Sequence, residues 1–227
     1  DSINTISRKF LEREQLDATS YPLVSNTVAN ISFQPRDDVM HVRRIEEFFK
    51  MFQNNTLFGG NLALRPSGLS GDGSIGVPDG ILESNRLNFE AYHIYSDSAG
   101  GRIRPGEDAD FTLITNDVSI DVDLRAREGT MVANEDYTLI EFPANLYETR
   151  LDRIDWFMDR KEVKLSQKKI LPENQADIGI DSLNINGPSY VSKHADQDSL
   201  NFIAPVAIFN YQFKKIRADE VPFIEIG

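Results

Sequence analysis

Carboxylates are the most abundant groups in this sequence that could do chemistry, since Asp and Glu total 36. In a glycoside hydrolase one carboxyl group protonates the leaving oxygen while a second attacks the sugar or activates water. Candidate pairs occur at three places: Asp121 with Asp123, Glu135 with Asp136, and Asp152, Asp155 and Asp159 around the lone Trp156. Spacing alone does not show which of these carboxylates, if any, form a catalytic pair. Asp121 and Asp123 alternate with apolar residues, which is the pattern expected for the solvated face of a strand.

The other common catalytic and metal-binding patterns are missing from the sequence. The three histidines, His41, His93 and His194, lie outside any recognisable triad motif, and no G-x-S-x-G elbow, Walker loop or dinucleotide fingerprint occurs. There is no cysteine. The Asp-Gly turns at Asp72 and Asp79 lack calcium-loop spacing and are typical of tight hairpins. We therefore predict no catalytic, cofactor-binding or metal-binding residues and no cofactor, with glycoside hydrolase as the one enzymatic class considered.

The charge balance bears on partners. Lys and Arg total 24, so the formal net charge is 24 − 36 = −12, and such a surface repels phosphate backbones. Nucleic acid is therefore not expected as a partner. No apolar run approaches the ~18 residues that a transmembrane helix needs, so no transmembrane helix is expected either.

Apolar residues at every second position dominate the chain, in short segments separated by turn residues. One such hairpin runs through Ile154, Trp156 and Met158 and returns through Val163 and Leu165. A second, through Ala207, Phe209 and Tyr211 to Ile216 and Ala218, matches the first without a gap at an offset of 53 residues. This alternation predicts antiparallel sheet with one buried face, and the constant offset favours a repeated hairpin, with chance similarity as the alternative.

Two segments depart from the strand pattern. Val42, Ile45, Phe49 and Phe52 are three or four residues apart, which predicts a short amphipathic helix near 39–52; the aromatic density there leaves extended structure as the alternative. Residues 98–108 are rich in Gly, Ser and charge, and are predicted to form a mobile insertion with a possible domain sub-boundary near 98–110.

The aromatic residues of the second half allow two interpretations. They could form a platform that stacks against sugar rings, or they could pack in the core, and the shared face of Ile154, Trp156 and Met158 favours the core. The residues concerned are Phe142, Tyr147, Trp156, Phe157, Phe209 and Tyr211.

Several motifs carry a resemblance to a known group of proteins. Four segments are concerned: residues 128–147, residues 154–159, Leu-Arg-Pro-Ser-Gly-Leu-Ser-Gly-Asp-Gly at 64–73 and His-Ala-Asp-Gln-Asp-Ser-Leu-Asn-Phe at 194–202. They resemble parts of large, poorly characterised β-rich envelope proteins of Bacteroidota. Residues 202–221, an apolar strand, a basic turn and a returning strand, are similar to the repeats of lipopolysaccharide-transport bridge proteins, which stack into an open β-jelly roll. The resemblance implies a bacterial cell-envelope location, in the periplasm, outer membrane or cell surface, and lipid handling along an apolar interior.

These observations predict a mostly β protein: an antiparallel hairpin stack forming an elongated sandwich, open jelly roll or solenoid-like sheet, with at most one short helix near 39–52. Residues 1–227 are expected to form one elongated region and, since the chain starts at Asp1 and stops within an alternating pattern, a fragment of a longer protein. The expected function is a non-enzymatic structural or binding segment of a larger cell-envelope or secreted protein, one form of it lining a lipid-handling groove. Its expected partners are other segments of that protein or complex, with lipid or glycan as further candidates. The alternative is a carbohydrate-binding or carbohydrate-active β domain.

Overall fold

The computed structural model describes residues 21–26, 28–52, 56–167, 187–197, 200–219, 221 and 224–226, together with the backbone of residues 3–5. The protein is mostly β, with 64% of the described residues in strands, and all strand pairs among these residues are antiparallel and belong to one sheet. This confirms the predicted fold class. In the described ranges the only helical element is a 3-10 turn at Ala195–Gln197, so no helix there is long and apolar enough to cross a membrane.

The strands of the first half include the longest in the molecule. Their bounds are β1 Ile3–Thr5, β2 Val24–Asn26, β3 Ala29–Gln34, β4 Val39–Arg44, β5 Phe49–Met51, β6 Thr56–Arg65, β7 Gly68–Val77, β8 Gly80–Phe89, β9 His93–Ile103 and β10 Leu113–Asp123. Strands β6 to β10 pair with their sequence neighbours as a meander. Each has ten or eleven residues, so this meander is the central sheet of the molecule.

The strands of the second half are shorter. They are β11 Glu128–Ala133, β12 Thr138–Phe142, β13 Tyr147–Leu151, β14 Arg153–Phe157, β15 Glu162–Ser166, β16 Ser189–Ser192, β17 Asn201–Ile203, β18 Val206–Asn210, β19 Lys215–Asp219 and β20 Ile224–Glu225. Most have five residues or fewer, because turn residues interrupt the alternating pattern at short intervals.

The sheet forks at both ends of the central meander. At the first fork, the end of β6 pairs with β4 and its start pairs with β5. At the second, Ile114 and Thr115 of β10 pair with β12, whereas 118–123 pair with β11. The paired hydroxyls of Thr115 and Thr138, 3.0 Å apart, stand at this fork, and Thr138 also donates to the Asn116 carbonyl at 2.6 Å. These side chains take up backbone groups where the ladder divides.

Beyond the second fork the strands form two layers. We call β12, β13, β16, β17 and β20 layer A, and β11, β14, β15, β18 and β19 layer B, from their pairings. The layers face each other, since the rings of Phe142 in layer A and Phe209 in layer B are edge to face at 4.9 Å. Successive hairpins alternate between the layers. The chain crosses from layer A to layer B within one residue at Asp152, and within two at Ala204 and Pro205.

Five hairpins share one turn geometry. Each has a four-residue turn whose last residue adopts a left-handed backbone, with φ between 47° and 58°: Asp38, Arg127, Leu146, Lys161 and Lys214. The hairpins β14–β15 and β18–β19 also have the same register, since Trp156 faces Val163 and Phe209 faces Ile216. The two pairs are related by the offset of 53 residues noted in the sequence.

The buried side chains form one contiguous apolar cluster that runs from Val24 to Tyr211. Of the six aromatic residues singled out in the sequence, Phe142, Trp156, Phe209 and Tyr211 are fully buried in it, as the core-packing interpretation predicted, whereas Tyr147 and Phe157 are only half-buried. Burying one side chain of this size contributes roughly 1.5–3 kcal/mol, so the alternating face is the main source of stability.

The predicted helix near 39–52 is wrong. The segment contains β4 and β5, which are separated by exposed residues, and Ile45 is 47% exposed. Val42 and Phe49 are both buried, but they belong to different strands. The helical spacing therefore comes from combining residues of two short strands, β4 and β5. Within β5, Phe49 and Met51 are both buried and two residues apart, as expected for a strand.

Half of the predicted insertion is regular strand. Residues 98–103 complete β9, and Gly100 and Gly101 lie opposite Glu83 and Leu82 of β8. A side chain at Gly101 would collide with Met131 at 2.9 Å, so this glycine permits close packing against β11. Only 104–112 form the connection to β10.

Candidate functional site

The carboxylates that sequence analysis singled out on β10 form a surface cluster around a histidine. His93 of β9 lies between them, with Nδ1 3.5 Å from Asp121 and Nε2 3.3 Å from Asp123. The Asp121 side chain is 71% exposed. Asp123 also accepts backbone N–H groups of Arg125 at 2.7 Å and Ala126 at 2.9 Å, which fixes the β10–β11 turn. These contacts lower the pKa of Asp123, with the Ala126 hydrogen bond as the largest cause.

The carboxylates around Trp156 are held in ion pairs or buried. Asp155 is bound by Arg153 at 2.7 Å, and Asp159 pairs with Arg127 across the ends of two hairpins. Asp152 is buried at the crossing between layers. Trp156 itself has no exposed surface and is closed to a sugar ring. The cleft that a glycosidase needs beside its carboxylates is therefore not built around this residue.

The remaining sequence candidates occupy ordinary structural positions. His41 is half-buried in β4, and His194 accepts the backbone N–H of Asp196 at 3.2 Å. The predicted hairpin turn at Asp72 is wrong, since Asp72 lies in the middle of β7 opposite Asn61 and accepts a hydrogen bond from the Asn61 amide at 3.0 Å. Glu135 and Asp136 are exposed in the connection from β11 to β12. The described part of the chain contains no group of three or more side chains suited to hold a metal ion.

A buried polar cluster that sequence analysis missed joins the central sheet to layer B. Asp79 occupies the β7–β8 turn with φ of 67° and is 8% exposed. Its Oδ2 accepts hydrogen bonds from Lys161 Nζ at 2.5 Å and from the Tyr211 hydroxyl at 3.1 Å. The indole N–H of Trp156 donates to the same hydroxyl at 3.4 Å. We call Asp79, Trp156, Lys161 and Tyr211 the Asp79 cluster.

The Asp79 cluster is suited to holding strands together. Desolvation is the largest cause that raises the pKa of Tyr211, and neighbouring Asp79 raises it further. The phenol therefore stays protonated at neutral pH and acts as a hydrogen-bond donor, while the Lys161 ammonium is bound by the carboxylate. Trp156 also packs on the turn, because a Cβ at Gly80 would lie 2.8 Å from its ring.

No local signal could have identified this cluster. Asp79 lies in an Asp-Gly turn that any hairpin could contain, and Lys161 and Tyr211 are 82 and 132 residues away in sequence. Lys161 and Asp79 both lie in hairpin turns and have left-handed φ values. They meet because these two turns, which are distant in sequence, pack against each other in the folded chain.

The second feature with functional potential is the far end of the two layers, which we call the end surface. It consists of the edge strands β19 and β20 with Ile216, Ala218, Val221 and Ile224. Within the described ranges, β19 pairs only with β18, and β20 only with β17. Ile216, Ala218 and Val221 pack against the core but are only half-buried, and Ile224 is 62% exposed. Among the described residues, the last strand of each layer is thus paired on one side only, beside core residues that these residues leave half-buried.

Comparisons with known proteins add no family to this description. No family model matches the chain, and neither a curated protein nor a solved structure matches it. Any functional proposal therefore depends on the geometry of the fold.

Proposed function

We propose that this chain is a non-enzymatic structural or binding segment of a larger cell-envelope or secreted protein, and that its end surface pairs with further strands of that protein. The observation that carries the proposal is the end surface, where among the described residues the last strand of each layer is paired on one side only and half-buried core residues are left partly exposed. A free edge is a template for another strand, and apolar groups beside it gain by being removed from water.

The regular hairpins support a modular role. The hairpins β14–β15 and β18–β19 have equal strand lengths, equal turns and equal register, and both belong to layer B. The second of these hairpins pairs edge to edge with the first through β15 and β18, as in stacked repeat architectures in which a unit contacts mainly its neighbours. A further unit of the same kind would cover Ile216 and Ala218 as β19 covers Phe209.

The narrower functions considered from the sequence receive less support. A lipid-handling groove needs continuous apolar space between the layers, but Phe142, Trp156 and Phe209 fill that space where the structure describes it. A sugar-stacking platform needs exposed rings, and four of the six aromatic residues considered for it, Trp156 among them, are fully buried, while Tyr147 and Phe157 are half-buried. The proposal is therefore limited to a structural or protein-binding role at the end surface.

Amide hydrogen exchange tests the proposal. The exchange of β17–β20 amides is measured in this chain alone and in the full-length product of its gene. We expect at least tenfold slower exchange of the β19 and β20 amides in the full-length protein, because exposed edge amides open at almost no free-energy cost and paired ones do not. The amides of β7 and β8 are the internal control and should exchange equally in both samples.

Two results would count against it. Equal exchange of the β19 and β20 amides in both samples would mean that no further strand pairs with these edges. A full-length gene product that consists of this chain alone would contradict the proposal that the chain belongs to a larger protein. The location is tested separately, by following an epitope-tagged full-length product through fractionation into cytoplasm, periplasm and outer membrane. Recovery in the cytoplasm would contradict the envelope assignment.

A further inference from the structure

The outer face of the central meander contains a polar depression far in sequence from the end surface. Two adjoining hollows, of about 110 and about 400 Å³, lie over β6, β7 and β8. Arg65, Ser70 and Arg86 line both hollows, so they mark a single site. We call it the arginine depression.

Strand register explains why these residues meet. Ser70 of β7 pairs with Ala63 of β6 on one side and with Asn88 of β8 on the other. Arg65 is two residues beyond Ala63, and Arg86 is two residues before Asn88, so both lie on the same face of the sheet as Ser70. The two arginines therefore flank the Ser70–Asn88 row from opposite ends.

A glycine keeps the floor of the site open. Gly68 faces Arg65 across the β6–β7 hairpin and lines the smaller hollow. A Cβ at Gly68 would meet nothing within 4 Å, so the space beside Arg65 is free. The absent side chain leaves room for a ligand next to the guanidinium group.

The two guanidinium groups are available for a ligand. Across the described residues, neither Arg65 nor Arg86 has a side-chain hydrogen bond or ion pair. Arg102, Arg127 and Arg153, by contrast, each pair with a carboxylate. In this chain, with a net charge of −12, carboxylates outnumber basic side chains, so two arginines without a carboxylate partner among the described residues stand out.

The margins of the depression carry charge of the opposite sign. Glu90 lines the smaller hollow and Asp72 the larger, and Asp72 already accepts the Asn61 amide. Because both hollows share the same two arginines, the depression as a whole has two positive and two negative side chains. Its capacity to bind an anion therefore depends on the two guanidinium groups that lack a carboxylate partner among the described residues, and not on a net positive charge.

We propose that the arginine depression binds a tetrahedral oxyanion, a phosphate or sulfate, either free or as the terminal group of a larger molecule such as a lipid headgroup. Guanidinium groups bind such oxygens through paired N–H donors, and the Ser70 hydroxyl and Asn88 amide add donors between them. The smaller hollow is well below the roughly 300–1,000 Å³ of sites for drug-sized ligands, which suits one charged group. This inference does not depend on the proposed structural role.

Calorimetric titration of the purified chain with sodium phosphate and with sodium sulfate tests the proposal at constant ionic strength, with chloride as the comparison. Saturable binding of phosphate or sulfate, absent with chloride, is the expected result. Arg65→Gln and Arg86→Gln should each weaken it at least about tenfold, since a charge-assisted hydrogen bond is lost. Both side chains are exposed, so the variants should fold, which circular dichroism checks.

The matched control is Arg36→Gln. Arg36 is an exposed residue of the β3–β4 turn, outside the depression, and its side chain has no hydrogen bond or ion pair in the described part of the chain. This variant removes the same charge and should bind as the wild type does. Equal weakening by Arg36→Gln would show a general charge effect and overturn the proposal. So would the lack of saturation by either oxyanion.

Vesicle flotation separates the two sources of the anion. The chain is mixed with phosphatidylcholine vesicles that contain phosphatidic acid, and with vesicles of phosphatidylcholine alone. Flotation that requires phosphatidic acid and is lost in Arg65→Gln and Arg86→Gln identifies a lipid phosphate as ligand. Titration by free phosphate without any flotation identifies the free ion. Flotation that both variants retain, with no binding of free anion, would contradict the assigned site.

Discussion

The hydroxyl of Tyr211 lies 3.1 Å from Oδ2 of Asp79, although the two residues are 132 positions apart in the sequence. This contact fastens a turn of the central sheet to the end of β18. Lys161, on the turn between β14 and β15, binds the same carboxylate oxygen. Three hairpins that are distant in sequence therefore meet at a single buried atom.

Replacing Asp79 should destabilise the fold. Asp79→Asn keeps a residue that tolerates left-handed φ but removes the charge, leaving Lys161 and Tyr211 poorly partnered. We expect the free energy of unfolding to fall by about 2–4 kcal/mol, toward the low end because Lys161 is 31% exposed. Urea denaturation followed by Trp156 fluorescence measures the loss. Asp97→Asn, an exposed position on β9, is the control and should change stability by less than about 0.5 kcal/mol. Equal stability of the two variants would contradict a structural role for the cluster.

Tyr190 and Tyr211 should respond in opposite directions to removal of the hydroxyl group. Tyr190 is fully buried and stacked on Phe202 at 5.0 Å, and its hydroxyl has no hydrogen-bond partner among the described residues. Tyr190→Phe should therefore leave the free energy of unfolding unchanged or raise it by up to about 1–3 kcal/mol. Tyr211→Phe should lower it by about 1 kcal/mol, because that hydroxyl is hydrogen-bonded. Thermal and urea unfolding of both variants measure the difference, and a marked loss in Tyr190→Phe would reveal a partner for its hydroxyl.

Asp123 should make stability depend on pH in the acid range. The pKa of Asp123 is lowered in the folded chain, first by the Ala126 N–H, so folding favours the ionised form. This contribution is complete above the unfolded pKa of about 3.9 and is lost as the pH falls through the folded pKa. Wild type should exceed Asp123→Asn in free energy of unfolding by about 0.5–1 kcal/mol at pH 6, after allowance for solvent screening, and this difference should shrink toward zero as the pH falls below the folded pKa. Urea unfolding at a series of pH values measures this, with Asp97→Asn as a control that should show no such convergence.

Leu146 occupies a strained position that can be improved. It is the last residue of the β12–β13 turn, has φ of 55° and is 47% exposed. The left-handed region costs a bulky residue roughly 1–2 kcal/mol, and asparagine tolerates it better. Leu146→Asn should therefore raise the free energy of unfolding by about 0.5–1 kcal/mol. Leu139→Asn on the adjacent strand, where the residue is 40% exposed, is the control and should not stabilise. A loss of stability in Leu146→Asn would mean that Leu146 packs favourably.

Much of the local structure was predictable because the period of a strand is a local property. Alternation placed Ile154, Trp156 and Phe209 on buried faces, and the offset of 53 residues agrees with the registers of β14–β15 and β18–β19. Prediction failed at 39–52, where Val42 and Phe49 lie at helical spacing but on different strands. Over so short a segment, the spacing of apolar residues is the same whether they lie on one face of a helix or on two successive strands, so periodicity alone does not distinguish the two structures.

The sequence alone determined the strand class, several turn positions and the apolar face of strands such as β10, β14 and β18, because these depend on neighbours within a few residues. The tertiary structure decided which layer each hairpin joins, that β10 forks at Thr115, and that Asp79 meets Tyr211. It also brought Arg65 and Arg86 to opposite ends of one depression. The physical reason is that contacts between residues far apart in sequence depend on the path of the backbone. Two hairpins with the same alternating pattern can pack in either layer, and only their contacts with neighbouring strands decide between the layers.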